Sequence, residues 1–229
     1  MKFENTEVFN FEGALRGMRN PKDSWNKSDS GVCKIQVCSN TCPYSLKCDF
    51  TKGFIIGEND MKLAQSLIKA GKEHRKFLRQ IFICVDITAP RYWWSEFDTY
   101  AIGVTKNSCS TMHKLNAYPI TIDMFEIDDG LNAIDETFDD ESLYSLINTL
   151  EKLRSKYNET KDFKYIRAMK QRLPESFLQK RTVTMNYENI YEFARQRSQH
   201  RLTEWSKDMM VWIKTLPYAD EFLFGGNND

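Results

Sequence analysis

Two stretches of the sequence gather groups that could grip a phosphate and a ring. The first, Arg91 to Leu115, mixes a cation (Arg91), an amide (Asn107), hydroxyls (Ser108, Ser110, Thr111) and a set of aromatic planes. The second, Leu173 to Arg201, supplies Asn186 and then Arg195, Arg197 and Arg201. Positions 197 and 201 are one helical turn apart, so a helix through them would carry both guanidiniums on one face. A guanidinium fork binds a phosphate, or the carbonyl edge of a pyrimidine, in bidentate fashion. The same residues also describe a solvated, salt-bridged helix, and by themselves they do not choose between the two.

Other chemistries find less material. Cys33, Cys38, Cys42 and Cys48 are spaced C-x4-C-x3-C-x5-C rather than as the paired C-x2-C knuckles of most structural zinc sites. They read as free thiols in a surface excursion, with a metal site as the alternative. Cys109 and His113 lie four residues apart, a spacing that guarantees no contact in a loop. The sequence has no G-x-G-x-x-G, G-x4-G-K-[ST], G-x-S-x-G or H-E-x-x-H motif.

The balance of 32 basic against 32 acidic residues removes the overall cationic field of a non-specific nucleic-acid binder. No stretch reaches the ~18 apolar residues that span a bilayer, and the opening Met1-Lys2-Phe3-Glu4 is no secretory signal. A cytoplasmic protein with neither nucleic acid nor membrane as partner is expected. At 41% hydrophobic and 28% charged, the 229 residues should fold as a globular chain. Aromatics reach 13%, concentrated at Tyr92-Trp93-Trp94 and Phe97, which reads as core plus subunit interface and predicts a stable oligomer.

Elements must position these groups. Glu7–Phe11 alternates weakly as a strand, and the glycines, Asn20-Pro21 and serines from Gly13 to Ser30 predict a solvated loop holding Arg16 and Arg19. Asn59 should cap a helix ending at Gly71. Ile81–Ile87 predicts a buried central strand, Pro90 the start of an aromatic helix to Tyr100, and Tyr118–Ile127 a strand or extended arm. Leu143, Leu146, Ile147, Leu150, Leu153 and Tyr157 recur at helical spacing behind Asp139 as cap. A basic helix over about 162–172, a strand over 181–185, and helices over about 187–201 and 204–213 complete the reading.

Leu173-Pro174, then Thr184, Asn186, Phe193 and Arg197, resembles the C-terminal signature of the flavin-dependent thymidylate synthases: Leu-Pro, Thr-x-Asn, and a helix with Phe and a nucleotide-binding Arg. Upstream, Glu73-His74 with Phe77, the Ile81–Ile87 strand and Ala89-Pro90 are similar to the family's Gly-His segment, strand and Pro. Asn107-x-x-Ser110 falls where the family carries Asn-Glu-x-Ser-x-Arg-Tyr. The resemblance covers about residues 59 to 216. It departs at the Arg-His-Arg flavin clamp, here Tyr100-Ala101-Ile102, and at an Arg two residues after the strand Asn, here Glu188.

The resemblance implies an α+β fold, with a central sheet packed against long helices, over a single domain 1–229 with a cysteine-containing insertion at about 12–52. It implies a homotetramer with sites between subunits. Its chemistry would pass a one-carbon unit from methylenetetrahydrofolate to C5 of a deoxyuridine monophosphate through FAD, with NADPH as reductant. Ser110, Arg197, Asn107, Lys170 and Arg172 would then bind substrate, and Asn186, His74, Arg91 and Tyr100 the cofactor. A non-catalytic nucleotide-binding homologue, or a flavin or folate enzyme acting on another pyrimidine nucleotide, are the alternatives.

Overall fold

The computed structural model describes residues 1–34, 53–127 and 141–224. In chain order the elements begin β1 (Lys2–Phe9), α1 (Phe11–Arg19), β2 (Gly31–Val32), β3 (Phe54–Ile55), α2 (Glu58–Lys69), β4 (Phe82–Pro90), α3 (Arg91–Phe97) and β5 (Thr105–Ser108). They continue with α4 (Thr111–Lys114), α5 (Glu141–Thr160), α6 (Phe163–Arg172), β6 (Leu178–Asn186), α7 (Tyr187–Arg197), α8 (Met210–Ile213) and α9 (Ala219–Phe222). A π-helical turn, Glu204–Met209, leads into α8. One four-stranded sheet runs in the order β1-β4-β6-β5, and β2 pairs antiparallel with β3. The mixture of sheet and helix is the α+β class expected.

The chain divides into two compact units. One comprises Met1, Thr88–Thr99 and Asn107–Arg181. Its core joins Ile147 and Leu150 of α5 to Ile166 and Met169 of α6, with Leu115, Ile120, Phe125 and Leu173. Each such side chain withdrawn from water contributes about 1.5–3 kcal/mol. Asp162 caps α6 by accepting from the Lys164 N–H at 3.0 Å, and Pro174 follows the helix end, so this element matches its expected limits. The expected cap of α5, Asp139, lies outside the described residues. Tyr118–Ile127 is mostly irregular, with a 3-10 turn at Ile122–Met124 and one antiparallel bridge from Phe125 to Phe177.

Trp93, Trp94 and Phe97 of α3 are buried inside this unit. Trp93 stacks on Phe97 at 4.9 Å, and the Trp94 indole N–H donates to the Gln179 carbonyl at 2.9 Å. These three aromatics are therefore absorbed by the chain itself and give no argument for an interface. The helix stops at Phe97 rather than near Tyr100.

The second unit comprises Lys2–Ile87, Tyr100–Lys106 and Thr182–Asp229. Phe11 packs edge-on against Tyr187 and Tyr218, each at 5.5 Å. Tyr187 is fully buried and donates to the Pro217 carbonyl at 2.7 Å; burial pushes its phenol well above the ordinary value, so it stays neutral. The turn-rich stretch after Asn10 is a solvated run of turns only from Asn20 onward. It opens as α1, whose Ala14, Leu15 and Met18 are buried. Gly13 is there for close approach: a Cβ on it would sit 2.3 Å from Asn10 Oδ1. Arg19, expected in solvent, is buried and bonds Asp60 Oδ1 at 2.5 Å, and Ser28 and Ser30 donate to Asp60 Oδ2. Asn59 lies inside α2, which is capped instead from Asp29: its carboxylate accepts the N–H groups of Asn59 and Asp60 at 2.9 and 3.2 Å. Among the described residues no helix is long and apolar enough to cross a membrane.

Candidate functional site

β6 runs straight into α7, and Asn186 sits at the junction. Its side chain accepts the Asn189 N–H at 3.1 Å while the Asn189 side chain accepts the Asn186 N–H at 3.1 Å, a reciprocal capping box. Asn189 also donates to the Ile102 carbonyl at 2.9 Å, fastening the 100–104 turn to the helix start. Gly103 is needed in that turn: its φ is +74°, and a Cβ there would stand 2.8 Å from Asn186 Nδ2.

Four residues after the buried Phe193, on the same side of α7, comes Arg197. Its Nε donates to the Tyr100 hydroxyl at 2.8 Å, and the hydroxyl meets Gln196 Oε1 at 3.0 Å. The guanidinium carbon lies 4.9 Å from the Trp205 ring centre and 5.4 Å from that of Tyr100. Tyr100 is in turn braced edge-on against Phe193 at 4.7 Å. The guanidinium plane is thus oriented by two rings and one hydroxyl, a half-buried arrangement that fixes the direction of its fork. Arg201 does not share this face. The helix ends at Arg197 with Ser198 as its cap, and Arg201 is an exposed residue of the following bend. Arg195 is exposed, with its guanidinium 5.6 Å from the Tyr191 ring.

A second cationic group in this unit lay outside the sequence-based set. Arg75 is buried; its Nε bonds both carboxylate oxygens of Glu188 at 3.2 and 3.0 Å, and its Nη2 bonds Glu192 at 2.6 Å. The guanidinium also lies 4.1 Å over the Tyr191 ring. The available signal was the pair of carboxylates one helical turn apart at 188 and 192. Neighbouring His74 is exposed, on the wall of a cavity of about 1440 Å³ that Lys22, Lys27, Lys76 and Phe77 also line.

Arg91, Asn107, Ser110, Lys170 and Arg172 belong to the other unit. Arg91 reaches the Leu173 carbonyl at 3.3 Å and Glu175 at 3.2 Å. Asn107 is exposed on β5, and Ser110 occupies the cap position of α4 without a side-chain capping bond. Lys170 and Arg172 are exposed in the last turn of α6, Arg172 donating to the Ala168 carbonyl at 3.1 Å. Cys33 is half-buried, and its N–H donates to the Gly53 carbonyl at 2.7 Å. Cys38, Cys42 and Cys48 lie outside the described residues. Among the described residues no group of three or more His, Cys, Asp or Glu side chains is placed to hold a metal ion.

No protein-family model and no curated protein matches this sequence. Solved structures do match the whole fold. The flavin-dependent thymidylate synthase ThyX of Helicobacter pylori, complexed with FAD and dUMP, superposes with a TM-score of 0.64 at 18% identity, covering 98% of each chain. A second structure of that enzyme with FAD and dUMP gives 0.63 at 16% identity, covering 98% of this chain and 97% of the other. This chain has the flavin-dependent thymidylate synthase fold.

Within that thymidylate synthase fold, the residues that the resemblance assigns to flavin can be tested against their surroundings. Tyr100 stands at the clamp and is bonded to Arg197. Ala101 and Ile102 add no charge and are exposed. Asn186 is engaged in its capping box, and Glu188, where the family carries an Arg, is paired with Arg75. The clamp positions Tyr100-Ala101-Ile102 supply no guanidinium fork. Arg197, the group assigned to nucleotide, keeps both its charge and an imposed orientation.

Proposed function

We propose that this protein binds a pyrimidine nucleotide of the deoxyuridine monophosphate class, with Arg197 gripping the phosphate or the carbonyl edge of the base. The observation that carries the reading is the Arg197 guanidinium, held in one plane by Tyr100 and Trp205. A planar fork kept in register in this way loses less freedom when it closes on a ligand, which is the benefit of preorganisation. The fold likeness to enzymes holding dUMP supports the choice of ligand. Ser110, Asn107, Lys170 and Arg172 are the further substrate groups proposed from the resemblance.

The second reading is catalytic: transfer of a one-carbon unit to C5 of the nucleotide, with FAD, methylenetetrahydrofolate and NADPH. It is favoured by a likeness that runs through nearly the whole of both chains, to structures carrying FAD as well as dUMP. Calorimetric titration of dUMP into the purified protein tests the first reading, and an absence of binding would remove it. Formation of dTMP from dUMP in the presence of the three co-reactants would establish the second.

A further inference from the structure

We infer that Glu192 and Gln196 are positioning residues for Arg197, acting through the Tyr100 hydroxyl. Glu188, Glu192 and Gln196 follow one another at single-turn steps along α7, so they form one stripe down the helix. Beside that stripe the polar groups join into a continuous chain. Arg75 Nη2 donates to Glu192 Oε1 at 2.6 Å, and Glu192 Oε2 accepts from Gln196 Nε2 at 3.1 Å. Gln196 Oε1 accepts from the Tyr100 hydroxyl at 3.0 Å, and that hydroxyl accepts from Arg197 Nε at 2.8 Å.

The groups allow this chain only one direction. A guanidinium donates and never accepts, and an ionised carboxylate accepts and never donates. Glu192 therefore takes the NH2 of Gln196 and leaves the Gln196 carbonyl turned to Tyr100. Turning that amide over would set its carbonyl against the Glu192 carboxylate. Facing a carbonyl, the Tyr100 hydroxyl gives its one proton there and keeps a lone pair toward the Arg197 N–H. The chain is anchored at its buried end. Arg75 is 5% exposed, its Nε bonds both oxygens of Glu188, and its guanidinium lies 4.1 Å over Tyr191. Its backbone N–H is tied to the Gly71 carbonyl at 3.1 Å. Arg75 cannot turn away without leaving the buried Glu188 unpaired, an arrangement strongly disfavoured in a protein interior. Order set in the interior is passed outward, link by link, to the half-buried Arg197.

The consequence for affinity rests on the dUMP reading, but the orientation of Arg197 does not, so full-length protein is tested with and without ligand. In an NMR correlation spectrum of the free protein, the Arg197 Nε–H signal is assigned by its loss in Arg197→Lys. It should move in Gln196→Ala. It should also move in Glu192→Gln, where the single carbonyl serves Arg75, the NH2 faces Gln196, and the Gln196 amide must turn over. Exchanging the two residues, Glu192→Gln with Gln196→Glu, rebuilds the direction of the chain and should bring the signal back. A signal unmoved in either single variant, or not restored by the exchange, would overturn the inference. By calorimetry, Gln196→Ala should weaken dUMP binding about three- to tenfold, the range expected of one hydrogen bond. The same change made in Tyr100→Phe protein should weaken it by less than about twofold, because the link it acts through is already gone. Unchanged affinity in Gln196→Ala, or an equal loss in both backgrounds, would overturn it as well. If the wild-type protein binds no dUMP, the nucleotide reading falls and the NMR signal still decides this one.

Discussion

Arg197 has two sets of obligations, and they can be separated by substitution. Arg197→Ala removes the fork and should cost about 1.5–3 kcal/mol of dUMP binding, at least tenfold in affinity. Arg197→Lys should recover little, because a point charge cannot reproduce a planar fork lying over two rings. Thermal stability should fall as well in both variants, since the guanidinium is packed on Trp205 and bonded to Tyr100. Tyr100→Phe separates the effects: it keeps the ring against Phe193 but deletes the hydroxyl, so its melt should stay near wild type while dUMP affinity drops. Titrations beside thermal melts read all three variants, and unchanged affinity in Arg197→Ala would sink the site. Arg197 was legible in the sequence because a helix-borne Arg after Thr-x-Asn is a local pattern. Its orientation was not, because Tyr100 lies 97 positions away. Arg75 was missed for the same reason: it meets Glu188 across 113 positions, and no local spacing encodes that pairing.

At the scale of elements, periodicity served well where one face is apolar and poorly where packing relies on small residues. The apolar run behind β4 does give a strand, though its burial alternates and Phe82 is exposed, while the 3- and 4-residue steps of α5 are a direct image of its burial. Helix α1 was hidden because Gly13 and Gly17 count against a helix in any propensity scale, whereas here Gly13 makes room for Asn10. Helix α2 begins at Glu58 beyond Gly57, with Asp29 doing from a distance what a local cap would do. Burial alone would raise the Asp29 carboxyl, but the N–H groups of Asn59 and Asp60 and the Arg19 charge outweigh it and hold it below the ordinary aspartate range. Because the folded value is depressed, the stabilisation is present at neutral pH and is lost as pH falls from about 4 through the folded value. Asp29→Ala should therefore cost about 0.5–2 kcal/mol at pH 7, with the difference from wild type shrinking at strongly acid pH. Urea titrations at pH 7 and pH 3 check this, and an equal loss at both would assign Asp29 a role other than capping.

For the whole molecule, the α3 aromatics no longer support association, since Trp93 and Phe97 are fully buried within their own unit. The tetramer stands as a proposal from the resemblance alone. Light scattering should report four copies of the 27.0 kDa chain, and a particle of one chain's mass at micromolar concentration would remove the proposal. The β2–β3 pair reaches furthest at this scale. Gly31 faces Ile55, Val32 faces Phe54, and the Cys33 N–H closes on the Gly53 carbonyl, so the chain leaves for residues 35–52 and returns through one tied neck. The neck is held from inside the unit, because Ser28 and Ser30 are bonded to Asp60 and the Ile56 N–H donates to the Tyr218 hydroxyl at 2.7 Å. Across a closed neck, loop-closure cost changes by only about 0.6 kcal/mol per doubling of length. Replacing 35–52 by a Gly-Ser linker about a third as long should move stability by no more than about 1 kcal/mol and leave dUMP affinity within a few-fold, by denaturant titration and calorimetry. Stability and affinity held within those limits would make the neck a cassette port, open to a tag, a reporter or an unrelated loop.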